Sequence, residues 1–267
     1  MPDALTRRDA VLSDPAGTLL GLDFDGTLSH IVDDPTRAYA HPGSVAALQR
    51  LGRVLGQVAI VTGRPVAQAL ELGGFLDLEG LEGLRIMGQY GAERWSAADG
   101  PVQDVVAPEA VAAVVAALPA WLAEHGAQAA RIEDKGLAVA VHTRGLAEDV
   151  LPELGAPLTA LAEQHGLQVE HGRQVVELRQ PGVDKGDALR ALVAETGARQ
   201  VVFGGDDLGD LPAFDAVDAL RQDGLGGLLL CSASAEQDAL VARADVVLDG
   251  PDAVAEWLTA LADDLGA

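Results

Sequence analysis

The sequence predicts an α/β protein, a mainly parallel β-sheet covered by helices on both faces, with a compact insert of α+β character. Three observations predict it. Short apolar runs bounded by Gly, Pro or Asp alternate with stretches of helical periodicity, the pattern of strands buried on both faces. The middle of the chain departs from that alternation and runs helix, strands, helix, strands. At 267 residues, 49% hydrophobic and 22% charged, the chain suits one core plus a smaller insert and is too apolar to be disordered.

Taken in order, residues 1–17 are polar and charged without an apolar core, so they do not read as a secretory leader. The strand candidates are 19–24, 58–61, 85–87, 201–203, 228–231 and 246–248. Between the first two, Val45, Leu48, Leu51 and Leu55 recur at three- and four-residue spacings behind Pro42 and Ser44, as a crossover helix requires. Ala188, Leu189, Leu192 and Val193 repeat that pattern before Gly197. The middle holds helices at about 109–125 and 151–165, with extended segments at 131–142 and 167–178. It reads as a lid inserted between hinges at 100–105 and 180–184, which divides the chain into a sheet domain (1–102 and 181–267) and an insert (103–180). The longest apolar stretch, 110–123, is broken by Pro119 and too short to span a bilayer. The single cysteine, Cys231, lies in an apolar strand and is assigned to core packing, so the chain is expected in the cytoplasm.

Acidic residues number 41 against 18 basic, a formal net charge of -23 without any long Lys/Arg cluster. Nucleic acid and anionic membranes are therefore excluded as partners. The same field repels a phosphate ester, so a phosphate site here needs local positive charge.

Four segments supply candidates for such a site. Asp23-Phe24-Asp25-Gly26-Thr27-Leu28 stands at the carboxyl end of the first strand, where open α/β sheets bind ligands. Two carboxylates one residue apart at a buried strand end are costly unless a cation sits between them, and magnesium suits oxygen ligands. Thr62-Gly63-Arg64 follows the second strand and offers a hydroxyl and backbone amides at the same edge. Lys185 opens an amphipathic helix, where it opposes the helix dipole. That anomaly is resolved if it neutralises phosphate and carboxylates. Asp206, Asp207 and Asp210, three carboxylates within five positions after the strand at 201–203, would repel one another in an empty site and fit as metal ligands.

In that order, these motifs resemble the haloacid dehalogenase superfamily of phosphohydrolases. The cap segments look like those of its trehalose-6-phosphate phosphatase family: Gly88-Gln89-Tyr90-Gly91-Ala92-Glu93, Glu133-Asp134-Lys135-Gly136 with His142 and Arg144, and Val175-Val176-Glu177-Leu178-Arg179. The resemblance runs from about Leu19 to the C-terminus. Tyr90 stands where a histidine is common, Gly209 replaces a threonine, and Leu211-Pro212 interrupts an acidic run. These departures bear on substrate details rather than reaction class.

The resemblance implies a Rossmann-like core with parallel sheet, an inserted α/β (C2B-type) cap, and magnesium-dependent hydrolysis of trehalose 6-phosphate. It assigns Asp23 as nucleophile and Asp25 as acid and base, with Thr62 and Lys185 holding the phosphate. Phe24, Gly63 and Arg64 join them around the substrate, and Glu133, Lys135, Arg144 and Glu177 bind the sugar. The metal falls to the Asp23 and Asp206 carboxylates and the Asp25 backbone carbonyl, with Asp207 and Asp210 as further candidates. A small sugar phosphate is the expected partner, with functional coupling to a trehalose-6-phosphate synthase. Two other readings stay open. One is a phosphatase of the same architecture acting on sucrose 6-phosphate, a glycosyl phosphoglycerate or a hexose phosphate; the other is a catalytically silent regulatory module.

Overall fold

Apolar runs too short for helices become strands when each residue can be buried on one face or the other, and the main sheet is built this way. The computed structural model describes residues 3–101, 108–147, 150–172, 174–182, 184–233 and 238–267. The expected hinge residues 102–105 and 183 lie outside these. In chain order the elements are α1 (Ala4–Ser13), β1 (Thr18–Leu22), α2 (Pro42–Leu51), β2 (Gln57–Val61), α3 (Val66–Gly73), β3 (Arg85–Gly88), β4 (Glu93–Ser96) and β5 (Gly100–Pro101). There follow α4 (Glu109–Glu124), β6 (Arg131–Asp134), β7 (Ala138–His142), α5 (Val150–Gln164), β8 (Gln168–Gly172) and β9 (Val175–Arg179). The chain closes with α6 (Lys185–Thr196), β10 (Gln200–Gly205), α7 (Leu211–Gln222), β11 (Gly226–Ser232), α8 (Asp238–Val241), β12 (Val246–Leu248) and α9 (Gly250–Asp264). They form two compact units, Met1–Gln103 with Val183–Ala267, and Asp104–Gly182.

In the first unit the sheet order is β12-β11-β10-β1-β2-β3-β4-β5, parallel from β12 through β3 and antiparallel at β4 and β5. β1 is central, with β2 on one side and β10 on the other, so the chain reverses its direction of winding there. That reversal opens a crevice beyond the carboxyl ends of β1 and β10. Alternate side chains supply both faces. Leu20, Leu22, Val58 and Ile60 pack against Leu48, Leu51, Leu258 and Leu261. Leu19, Ala59, Val61, Val201 and Phe203 pack against Leu189, Leu192 and Phe214. Cys231 is fully buried on β11, as a packing residue should be.

Three boundaries differ from the sequence reading. β1 ends at Leu22, so Asp23 and Phe24 begin the loop, although the Asp23 amide still donates to the Gly204 carbonyl at 2.9 Å. β10 runs on through Gly204 and Gly205 because both glycines admit close neighbours: a Cβ at Gly205 would stand 2.3 Å from the Asp210 carboxyl carbon. The segment Gly88–Glu93, expected among the cap motifs, belongs to the first unit, since β3 pairs with β2 and β4 pairs with β3.

The second unit is a four-stranded antiparallel sheet, β6-β7-β9-β8. Val139, Val141, Val176 and Leu178 face one way and are buried against Val114, Leu118 and Leu122 of α4 and Leu154 and Leu158 of α5. Strand alternation sends Glu133, Ala140, Glu177 and Glu170, which stand opposite one another, to the other face. Among the described residues, no helix is long and apolar enough to cross a membrane.

Candidate active site

Three segments at the carboxyl ends of β1 and β10 and the start of α6 build the site. After β1 the chain doubles back: the Leu28 and Ser29 amides both donate to the Phe24 carbonyl at 2.9 Å, and the Gly26 amide donates to the Ser29 carbonyl at 2.8 Å. Gly26 makes the turn in a left-handed conformation (φ 73°), and its missing side chain makes room for Asp206, whose Oδ2 would lie 2.0 Å from a Cβ there. The Ser232 hydroxyl, at the end of β11, fixes the loop by donating to the Gly26 carbonyl at 2.6 Å.

Lys185 is the first residue of α6, behind Asp184, whose carboxylate caps the helix by accepting from the Asp187 amide at 2.8 Å. Its buried ammonium lies 2.8 Å from Asp23 Oδ1 and 2.8 Å from Asp210 Oδ1. A single cation thus joins the loops after β1 and β10. The other Asp210 oxygen accepts from the Asp206 amide at 2.9 Å and the Asp207 amide at 3.2 Å, and Asp207 accepts from the Gly209 amide at 2.9 Å. Asp210 therefore shapes its own loop while pairing with Lys185.

Electrostatics set this cluster apart. Burial drives the Asp23 carboxyl well above the usual carboxylate range, Lys185 opposes that rise, and Asp210 and Asp207 reinforce it. Asp206 is pushed up to about 10 by burial first and then by Asp23, Asp210 and Asp207, against the pull of Lys185. Burial alone would depress Lys185, but Asp210, Asp23 and Asp207 outweigh it and hold the ammonium charged. One lysine cannot balance so many carboxylates. Asp23, Asp206 and Asp210 offer oxygens within 4.8 Å of one another, an all-oxygen donor set that fits a hard divalent cation.

Thr62-Gly63-Arg64 follows β2 at the same edge. The Thr62 hydroxyl oxygen accepts from the Arg64 amide at 3.1 Å, which leaves its hydrogen to point elsewhere. Arg64 does not extend toward Asp23. Its guanidinium grips the Asp25 carboxylate with two bonds of 2.6 Å, donates to the Pro35 carbonyl at 3.0 Å, and lies 5.5 Å from the centre of the Phe24 ring. The expected site residues of this unit thus separate into two groups: Asp23, Lys185, Asp206 and Asp210 converge, whereas Asp25 turns to Arg64.

In the second unit, Glu133 and Glu177 stand on one row of the sheet, each opposite Ala140. Lys135 pairs with Glu177 Oε2, and Glu133 Oε2 lies 2.7 Å from His142 Nε2. The second oxygen of Glu177 is buried with no hydrogen-bond partner among the described residues. Arg144 is half-buried in the turn after β7. Sequence reasoning missed two features. Asp210 is legible as an acid but not as the partner of Lys185, and Gln89 and Tyr90, at φ 46° and 63°, carry no glycine to signal a left-handed turn.

Comparison with known proteins bears on this geometry. The trehalose-phosphatase family model matches residues 21–244. The trehalose-phosphate phosphatase of Mycobacterium marinum is 34% identical over 276 residues, covering 99% of this chain and 67% of that protein. Across the curated relatives compared, the chain spans between 61% and 67% of their length. Among solved structures, the C-terminal domain of a C. albicans trehalose-6-phosphate phosphatase superposes with a TM-score of 0.76 at 20% identity, covering 96% of each chain. A haloacid dehalogenase-like hydrolase from Bacteroides thetaiotaomicron superposes with a TM-score of 0.64 at 19% identity, covering 91% of this chain and 99% of that one. At these identities the structural likeness speaks to fold alone.

Proposed function

The chain belongs to the trehalose-phosphatase family, and from that premise we propose that it hydrolyses trehalose 6-phosphate to trehalose and inorganic phosphate, with Asp23 as nucleophile and magnesium as cofactor. The observation that carries the reading is the buried meeting of Asp23, Asp206 and Asp210 at the carboxyl edge of the sheet, with the Lys185 ammonium paired to Asp23 and Asp210. A carboxylate so placed is held for attack, with Lys185 offsetting part of its charge.

In this reading an Asp23 oxygen forms a bond to phosphorus as the bond from phosphorus to the sugar oxygen breaks. Asp25 gives a proton to that departing oxygen, exchanging its Arg64 partner to do so. Asp25 then takes a proton from water, whose oxygen attacks phosphorus and releases Asp23. Lys185 and the free hydroxyl hydrogen of Thr62 hold phosphate oxygens throughout, aided by the Gly63 backbone, with Phe24 and Arg64 alongside. Asp23, Asp206 and Asp210 would hold magnesium, with the Asp25 backbone carbonyl and Asp207 beside them. When bound, that ion neutralises charge on the phosphoryl oxygens and so assists the departure of the sugar.

Glu133, Lys135, Arg144 and Glu177 of the second unit are assigned to the sugar hydroxyls. Charged groups form strong bonds to hydroxyls, and the buried unpaired oxygen of Glu177 supports this assignment. The test is phosphate release from trehalose 6-phosphate, sucrose 6-phosphate and glucose 6-phosphate, with magnesium and with EDTA. Trehalose 6-phosphate should have the highest kcat/KM, and EDTA should abolish turnover. A higher kcat/KM on either other ester would replace the substrate.

A further inference from the structure

Gln89 and Tyr90 follow β3 and are successive non-glycine residues in the left-handed region, at φ 46° and 63°. A side chain there crowds its own backbone, so such a pair persists only where its surroundings over-determine it. Here those surroundings are the loop after β2. The Gln89 amide donates to the Arg64 carbonyl and the Tyr90 amide to the Thr62 carbonyl, each at 2.9 Å. Both carbonyls flanking Gly63 are thereby tied to the turn. The Tyr90 ring lies against Gly63, where a Cβ would stand 2.9 Å from the phenol carbon and oxygen.

Glu93 closes the arrangement. One of its oxygens accepts from the Gln89 carboxamide nitrogen at 2.6 Å, and the other from the Val66 amide at 2.6 Å. Val66 is the first residue of α3, so the carboxylate also answers the positive end of that helix. It joins the strained turn at one end to the chain leaving Arg64 at the other.

We propose that Glu93 is a positioning residue for phosphoryl transfer: it latches Gln89 and Tyr90 in their left-handed conformation, and through them fixes the Thr62-Gly63-Arg64 loop that holds phosphate. The proposal rests on the phosphatase reading above. A carboxylate can accept both N–H groups, whereas a glutamine at position 93 accepts one and turns its own NH2 toward the other donor. The E93Q substitution therefore opens the latch with little change of volume.

The experiment compares the full chain with its E93Q, Q89G and E93Q/Q89G variants in the presence of magnesium. It measures kcat and KM on p-nitrophenyl phosphate and trehalose 6-phosphate, inhibition by orthovanadate, and Tm. E93Q should lower kcat/KM on both esters by about 10- to 100-fold, the scale of a slightly misplaced group. It should weaken orthovanadate inhibition similarly and leave Tm close to that of the unaltered chain. Glycine adopts positive φ without a latch, so in the Q89G background E93Q should cost less than about threefold in kcat/KM. Unchanged kcat/KM and orthovanadate inhibition in E93Q would overturn the latch, as would an equal cost in both backgrounds. If the unaltered chain turns over only p-nitrophenyl phosphate, the sugar is wrong and the latch is judged on that ester. If it turns over neither, the phosphatase reading fails and the latch with it.

Discussion

Asp25 lies two positions from Asp23, yet it meets a different partner, and that difference supports the separate roles proposed for them. The Asp23 carboxylate sits against Lys185 inside the cluster, whereas both Asp25 oxygens receive the Arg64 guanidinium. A group that carries a proton to the leaving oxygen gains from standing outside the carboxylate cluster, where it can exchange partners. An acid of this kind contributes about 10²- to 10⁴-fold when the leaving group is a poor one. The Asp25→Asn variant should lose about that much on trehalose 6-phosphate and far less on p-nitrophenyl phosphate, whose departing phenolate needs no proton. Equal losses on the two esters would remove Asp25 from the acid role. At this scale the sequence discloses residue types better than partners. Asp23, Lys185 and Asp206 are legible because each is costly where it stands unless it has a function. The Arg64 grip on Asp25 and the left-handed Gln89–Tyr90 pair depend on neighbours distant in sequence, which no local pattern encodes.

The loops after β1 and β10 and the first turn of α6 share one electrostatic problem. Asp206, pushed up to about 10 in the folded protein by burial and its acidic neighbours, prefers its proton when no cation is bound. A carboxyl raised on folding contributes stability that is full below its unfolded value and is lost as pH climbs toward the folded one. The metal-free protein should therefore lose Tm between about pH 6 and pH 8.5, and added magnesium should raise Tm more at the upper end of that range. A magnesium effect that shrinks with rising pH would show that the carboxylates do not hold the ion. The elements carrying these loops are the ones the sequence displays. β1, β2, β3, β10 and β11 are apolar runs with Gly or Asp boundaries, largely buried on both faces and so conspicuous, and the edge strand β12 is a short apolar run between two aspartates. Other elements lack that signal. α1 buries only Val11 and so has no helical apolar stripe, β4 is Glu-Arg-Trp-Ser, and β5 has two residues, its place set by pairing with β4.

Over the whole molecule, a net charge of -23 opposes the approach of a dianionic ester, and in the proposed site Lys185 supplies the buried positive charge against it. The repulsion is long-range and screened by salt, while the buried pairs are not. At fixed magnesium, raising monovalent salt from about 0.01 to about 0.15 M shortens the screening length from about 30 to about 8 Å. kcat/KM on the sugar phosphate should rise over that range; a fall would mean that the local positive charge governs approach. In the proposed enzyme, carboxylates from separate loops act as one cation site. Calorimetric titration of magnesium into the full chain and its Asp206→Asn variant tests this most directly. One binding site is predicted in the unaltered chain, weakened by at least about tenfold in the variant, the loss expected for one charged ligand. Equal affinity in the two proteins would contradict it.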